Sequence, residues 1–178
     1  MNHNLDIMKN LAILLMISIF LISCSTSDDD IQENPEEANY IVYPNASLEV
    51  NETENGTVIE VVDGDMFVFE YRYSTEGVPE IADDELTEVV YFEVDEDTQD
   101  FNLNEANFEA SRAYLGKFCF CGRTGYFPIT SGEINAEKTG DLQWRISLDV
   151  KALIEAENNI PEMTFEASAS GNFRPENQ

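Results

Sequence analysis

The body of this chain is predicted to be all-β, a single antiparallel β-sandwich or open barrel, on three observations. Apolar and polar residues alternate at every second position over several stretches. Turns rich in Asp, Asn and Gly separate those stretches at short intervals. Helical periodicity is almost absent. Residues 39–178 form a length suited to one domain with one core.

The elements follow in order. Asn45, Asn51 and Asn55 each open an Asn-X-Ser/Thr triplet, and the segment around them reads as polar and turn-rich. Thr57 to Val62 is a β-branched run, and Asp63-Gly64-Asp65 leads from it into Met66 to Tyr73, so a hairpin turning at Asp63-Gly64 is expected. In its second strand Phe67, Phe69, Tyr71 and Tyr73 share one face, and Met66, Val68, Glu70 and Arg72 the other. Leu86 to Val94 alternates again between two acidic turns, Asp83-Asp84-Glu85 and Asp95-Glu96-Asp97. Residues 104–114 are the least strand-like and could form one short helix. Leu115 to Cys121 reads as a strand, Gly122 to Gly125 as a turn, and Tyr126 to Asn135 as the return strand with a bulge at Gly132. Leu142, Trp144, Ile146, Leu148 and Val150 make the cleanest inward face. Met163 to Phe173 is the last strand, for an expected total of six to eight.

Upstream of this body lies a different kind of sequence. Leu11 to Ile22 is apolar with one Ser and no charge, and Lys9 precedes it. As a helix it would span roughly 18 Å, short of the ~30 Å hydrocarbon core, so a cleaved signal peptide is expected over residues 1–23 rather than a membrane span. Met8-Lys9-Asn10 reads as a conventional beginning for such a segment. Leu21-Ile22-Ser23-Cys24 resembles the lipobox of bacterial lipoproteins, which implies acyl chains on Cys24 and a lipid anchor. Residues 24–38 are nearly devoid of apolar side chains and are expected to be a disordered acidic tether, long enough to hold a domain up to about 50 Å from the membrane. Within it, Ser27, Asp28, Asp29 and Asp30 resemble the export signal of Bacteroidetes surface lipoproteins. That resemblance implies the outer membrane and an outward-facing domain. The section from Gly125 to Phe173 also resembles uncharacterised β-rich lipoproteins of Bacteroidetes, a likeness that implies no activity.

Charge and composition exclude several classes of function. The chain has 36 acidic and 9 basic residues, a net charge of −27. Nucleic acid is not an expected partner, because binding it requires clustered Lys and Arg to displace counterions. Anionic lipid headgroups would repel the domain, so the membrane contact is assigned to the acyl chains. The single histidine, His3, lies in the expected signal peptide. His-dependent triads and His-ligated zinc or haem are therefore excluded downstream of Cys24. No Walker or dinucleotide glycine pattern occurs.

Three groups of residues remain as candidate sites. Cys119 and Cys121 are two apart, which on an extended strand puts their Cα atoms nearly ~7 Å apart, at the limit for a disulfide. They could bond if the strand end curls, stay as buried thiols, or do metal or redox work. Asp63, Asp65, Asp95 and Asp97 are candidate Ca²⁺ ligands, although the loop from Asp95 fails as an EF-hand, with Asp100 where glycine is needed and Ala106 where glutamate is needed. Tyr71, Tyr73, Tyr91, Tyr114 and Tyr126 could form a sugar-stacking platform or sit in the sheet. No cofactor is expected. The function these readings favour is a non-catalytic surface module that binds a ligand or a partner protein. The alternatives are a small acid-base polysaccharide hydrolase, marked by a cleft with two carboxylates, and a calcium-stabilised structural domain.

Overall fold

The computed structural model describes residues 36–54, 56–75, 85–120, 123–156 and 161–176, all within a unit spanning Asn34–Gln178. The fold is all-β. Ten strands form two antiparallel sheets: a curled sheet A in the order β2-β1-β3-β4-β6-β7, and sheet B in the order β10-β9-β8-β5. The strands are β1 (Glu36–Thr53), β2 (Gly56–Asp63), β3 (Met66–Thr75), β4 (Leu86–Asp95), β5 (Phe101–Asn104), β6 (Tyr114–Cys119), β7 (Gly125–Pro128), β8 (Ser131–Gly140), β9 (Gln143–Ile154) and β10 (Met163–Phe173).

Polar composition hides β1. Glu36 to Ala38, assigned to the tether on composition, are its first three residues, and the triplets at Asn45 and Asn51 lie within it. Its register breaks between Tyr43 and Ala46, where Pro44 lacks an amide hydrogen and Asn45 has φ 53°. Such a bulge changes which face successive side chains occupy. Before it, Val42 points into the space between the sheets; after it, Ala46 and Leu48 belong to a separate apolar cluster.

The expected hairpin at Asp63-Gly64 does not form. β2 and β3 both pair with β1, Ala46 lies opposite both Asp63 and Met66, and only Gly64 and Asp65 separate the two strands. Residues 36–75 are thus one long hairpin whose turn falls between Thr53 and Gly56. Gly64 donates its amide to the Asn45 carbonyl, and a Cβ there would come within 2.7 Å of the Ala46 backbone. Glycine serves a close strand approach at this point rather than a turn.

The return after β6 is likewise divided. Gly125–Pro128 pairs with β6 in sheet A, and the chain then crosses to sheet B as β8, which runs on to Gly140 rather than stopping at Asn135. The expected bulge at Gly132 is absent: Gly132 stays in register opposite Val150 with φ 108°, where a side chain would collide with the Asp149 backbone, and the register shifts only between Lys138 and Gly140. Within residues 104–114, whose sequence allows a short helix, 105–112 form consecutive turns, and the described residues contain no helix. These turns bury Phe108 and Ser111.

Sheets A and B enclose the main core. Trp144, Ile146, Leu148 and Val150 of β9 are all buried, whereas Leu142 sits in the preceding turn with φ 55° and only flanks the core. Phe69 and Phe92 stack at 5.0 Å, with Trp144 edge-on to Phe67 at 4.9 Å and to Phe69 at 5.3 Å. A second, smaller core lies on the opposite face of β3 and β4. There the distal half of the hairpin lays Leu48 and Ile59 over Val68, Val89 and Tyr91. Consequently β4 is buried on both faces from Val89 to Val94. Beyond β10, Arg174 donates its amide to the Tyr40 carbonyl and accepts from the Val42 amide, linking the two sheets.

Candidate groove beside Glu70 and Arg72

Two carboxylates buried under the second core organise its rim. Glu93 on β4 accepts the Leu48 amide at 2.9 Å and the Ser47 hydroxyl at 3.3 Å. Its other oxygen meets Arg112 Nε at 3.3 Å, while Arg112 Nη1 donates to the Leu48 carbonyl at 2.6 Å. The pair grips both backbone groups of one β1 residue and holds the folded-over hairpin against β4. Arg112 reaches this position from the end of the 105–112 turns with φ 41°.

Glu70 on β3 accepts Tyr43 Oη on one oxygen at 2.8 Å and Arg72 Nε on the other at 2.7 Å. Arg72 continues to Tyr91 Oη at 3.4 Å. Glu70 and Arg72 are two residues apart on one face of a strand, so their pairing follows from strand geometry. Along them runs a groove of about 910 Å³, lined by Glu37, Asn39 and Ile41 of β1, which lie between Glu70 and Arg72 of β3 and the segment Asn172, Arg174 and Glu176. Arg174 is exposed, and its side chain has no ion pair among the described residues. The groove thus offers two guanidinium groups, two amides, tyrosine hydroxyls and the exposed carboxylates of Glu37 and Glu176.

Burial, and then the Glu70 hydrogen bond, raise the Tyr43 pKa above its ordinary value. Burial and then the Glu88 charge raise Tyr71 from 10.0 to about 12. Tyr91 is also raised, by burial and then by Glu70. An unfolded tyrosine ionises near pH 10. Above that pH the unfolded chain holds fewer protons than the folded one, so stability falls as pH rises. The expected result is a melting temperature that declines between pH 10 and 12, with the phenolate absorbance of Tyr43, Tyr71 and Tyr91 appearing together with unfolding. Titration of Tyr43, Tyr71 and Tyr91 near pH 10 in a still-folded chain would contradict it.

The residues singled out from sequence are dispersed. Cys24, Ser27, Asp28, Asp29, Asp30 and Cys121 lie outside the described residues. Cys119 is half-buried and disulfide-bonded, and its neighbour Phe120 is 80% exposed. Asp63, Asp65, Asp95 and Asp97 are exposed, and no cluster of three or more His, Cys, Asp or Glu among the described residues could hold a metal ion. The tyrosines do not make one platform. Tyr71 is in the main core with Tyr73 packed against it, while Tyr91, Tyr114 and Tyr126 belong to the second core. Glu70, Glu93 and Arg112 were not anticipated. No protein-family model, curated protein or solved structure matches this chain.

Proposed function

We propose that this chain is a lipid-anchored lipoprotein of the outer membrane, facing the exterior, whose β-rich domain binds a ligand or partner protein without catalysis. The groove beside Glu70 and Arg72 is the proposed site. The observation that carries this reading is that the one buried carboxylate in the groove has both oxygens engaged, by Tyr43 and Arg72, while its other two carboxylates, Glu37 and Glu176, are solvent-exposed. A general acid or base needs a carboxyl within hydrogen-bond reach of substrate. Glu70 is instead a strut that orients Arg72, and the donors left facing the groove suit recognition. The anchor rests on Leu21-Ile22-Ser23-Cys24, and outward display on the tract Ser27-Asp28-Asp29-Asp30.

Two measurements test these parts separately. Fatty-acid labelling of the full chain is expected to vanish in Cys24→Ala, and persistent labelling would reject the anchor. For the groove, oligosaccharides and extended peptides are titrated against the parent chain and Arg174→Ala. One charge-assisted hydrogen bond lost corresponds to about 1.5 to 3 kcal/mol, or roughly tenfold or more in affinity, with folding stability unchanged. Binding that ignores Arg174→Ala places the site elsewhere, and turnover of the oligosaccharide would favour the hydrolase reading.

A further inference from the structure

The two edges of sheet B are unequal. One is β5, with four residues, and the other is β10, with eleven. β10 pairs with β9 in unbroken register from Met163 to Phe173. Its opposite edge has no backbone partner among the described residues until Arg174, although β1 flanks its last residues, with the Tyr40 ring packed on Gly171 and the groove beside Asn172. Arg174 turns both its amide and its carbonyl away from β9 toward β1. By strand alternation, the amides and carbonyls of Thr164, Glu166, Ser168, Ser170 and Asn172 point the same way.

Strand edges are ordinarily blunted by brevity, Lys, Pro or a bulge. β10 is long, contains neither Lys nor Pro, and has no register shift. Its one charge, Glu166, is matched by Lys151 of β9 at 2.6 Å.

We propose that β10 is a self-association edge, where two copies of this chain pair antiparallel about a two-fold axis at Ser168 and merge their B sheets. The strand's own complementarity singles out a second copy as the partner. With Ser168 opposite its equivalent, Glu166 faces Ser170, Thr164 faces Asn172 and Ala167 faces Ala169. No charge meets a like charge, and small side chains meet at the centre. An axis at Glu166 would instead oppose two carboxylates. The interface is isologous and uses up the β10 edge of both copies, so pairing through β10 stops at the dimer. Eleven residues a side is fewer than the roughly 20–30 of a standard interface. The net charge of −27 adds repulsion between copies. The dimer is therefore weak and strengthens as added salt screens that repulsion.

Ser168→Cys in the full-length chain, purified in detergent and treated with a short bismaleimide, tests this directly. Covalent dimer should form several-fold above the parent chain's background and rise with salt. Ser147→Cys, on β9 opposite Ser170, should stay at background. In the Ser168→Cys chain, Ser170→Glu sets a carboxylate against Glu166 of the second copy and should reduce the dimer several-fold, whereas Ser170→Lys should increase it. A Ser168→Cys chain that stays monomeric at all salt concentrations overturns the proposal. So does equal cross-linking through Ser147→Cys, or the same yield from both substitutions at Ser170.

Discussion

Replacing Trp144 by Ala is expected to lower the unfolding free energy by about 3 to 5 kcal/mol, against about 5 to 15 for a whole domain. The indole is fully buried, edge-on to Phe67 and Phe69, and covered by Lys138 Nζ at 4.9 Å. Its Nε1 donates to the Gln99 carbonyl at 3.0 Å, so it also ties β9 to the loop that leads into β5. Trp144→Phe separates the two contributions by keeping an aromatic ring and removing the donor. The neighbouring Arg145 is exposed and paired with an exposed Glu137. Arg145→Ala should change stability by less than about 1 kcal/mol. Urea titration of the three variants decides the matter. If Trp144→Ala unfolds no more easily than Arg145→Ala, the main core has been misassigned.

The second large effect is expected at Glu93. Glu93→Ala removes the partner of the Leu48 amide and of Arg112 together, and should cost about 2 to 3 kcal/mol, the penalty for an unsatisfied buried donor. Arg112→Ala should cost about 3 kcal/mol, because it leaves the Glu93 carboxylate buried without its counter-charge. Since both residues grip the same backbone unit, the double variant should cost clearly less than the sum. Strict additivity in the denaturant midpoints would mean that the two residues do not act as a unit.

Strands with one buried and one solvated face were legible in the sequence. β9 and β10 are of this kind, and the bounds of β10 match the alternation from Met163 to Phe173. β3 and β4 were found as strands but only half understood. Val68, on the face opposite Phe67 and Phe69, is buried under the hairpin together with Val89 and Tyr91. A pattern of period two cannot reveal what covers the second face. β1 was missed because Pro44 and Asn45 interrupt it and Asn and Glu fill its exposed positions. The residues around Gly64 suit either a turn or a close strand approach, and only the tertiary register distinguishes them. The groove was invisible for a related reason: its lining comes from β1, β3 and the chain around the end of β10, segments far apart in sequence. Glu70 left a faint signal, an acid two residues before Arg72 in a strand otherwise rich in aromatic residues. In a chain with 36 acidic residues that signal did not stand out.

The folded-over hairpin makes β3 and β4 a wall shared by two cores of unequal size, with consequences for how the molecule opens. The outer core holds six buried apolar residues and is secured mainly by the contacts of Leu48 with Glu93 and Arg112. Peeling β2 and the distal half of β1 away from Val68 and Val89 leaves the space between sheets A and B undisturbed. Sub-global openings of this kind require less free energy than complete unfolding. Amide hydrogens of Leu48 to Asn51 and Val58 to Val61 should therefore exchange with deuterium as one early group, while those of Ile146 to Val150 exchange only through global unfolding. The groove shares Tyr43 and Glu70 with the boundary of that flap. A ligand seated there would slow exchange of the early group and leave the late group untouched.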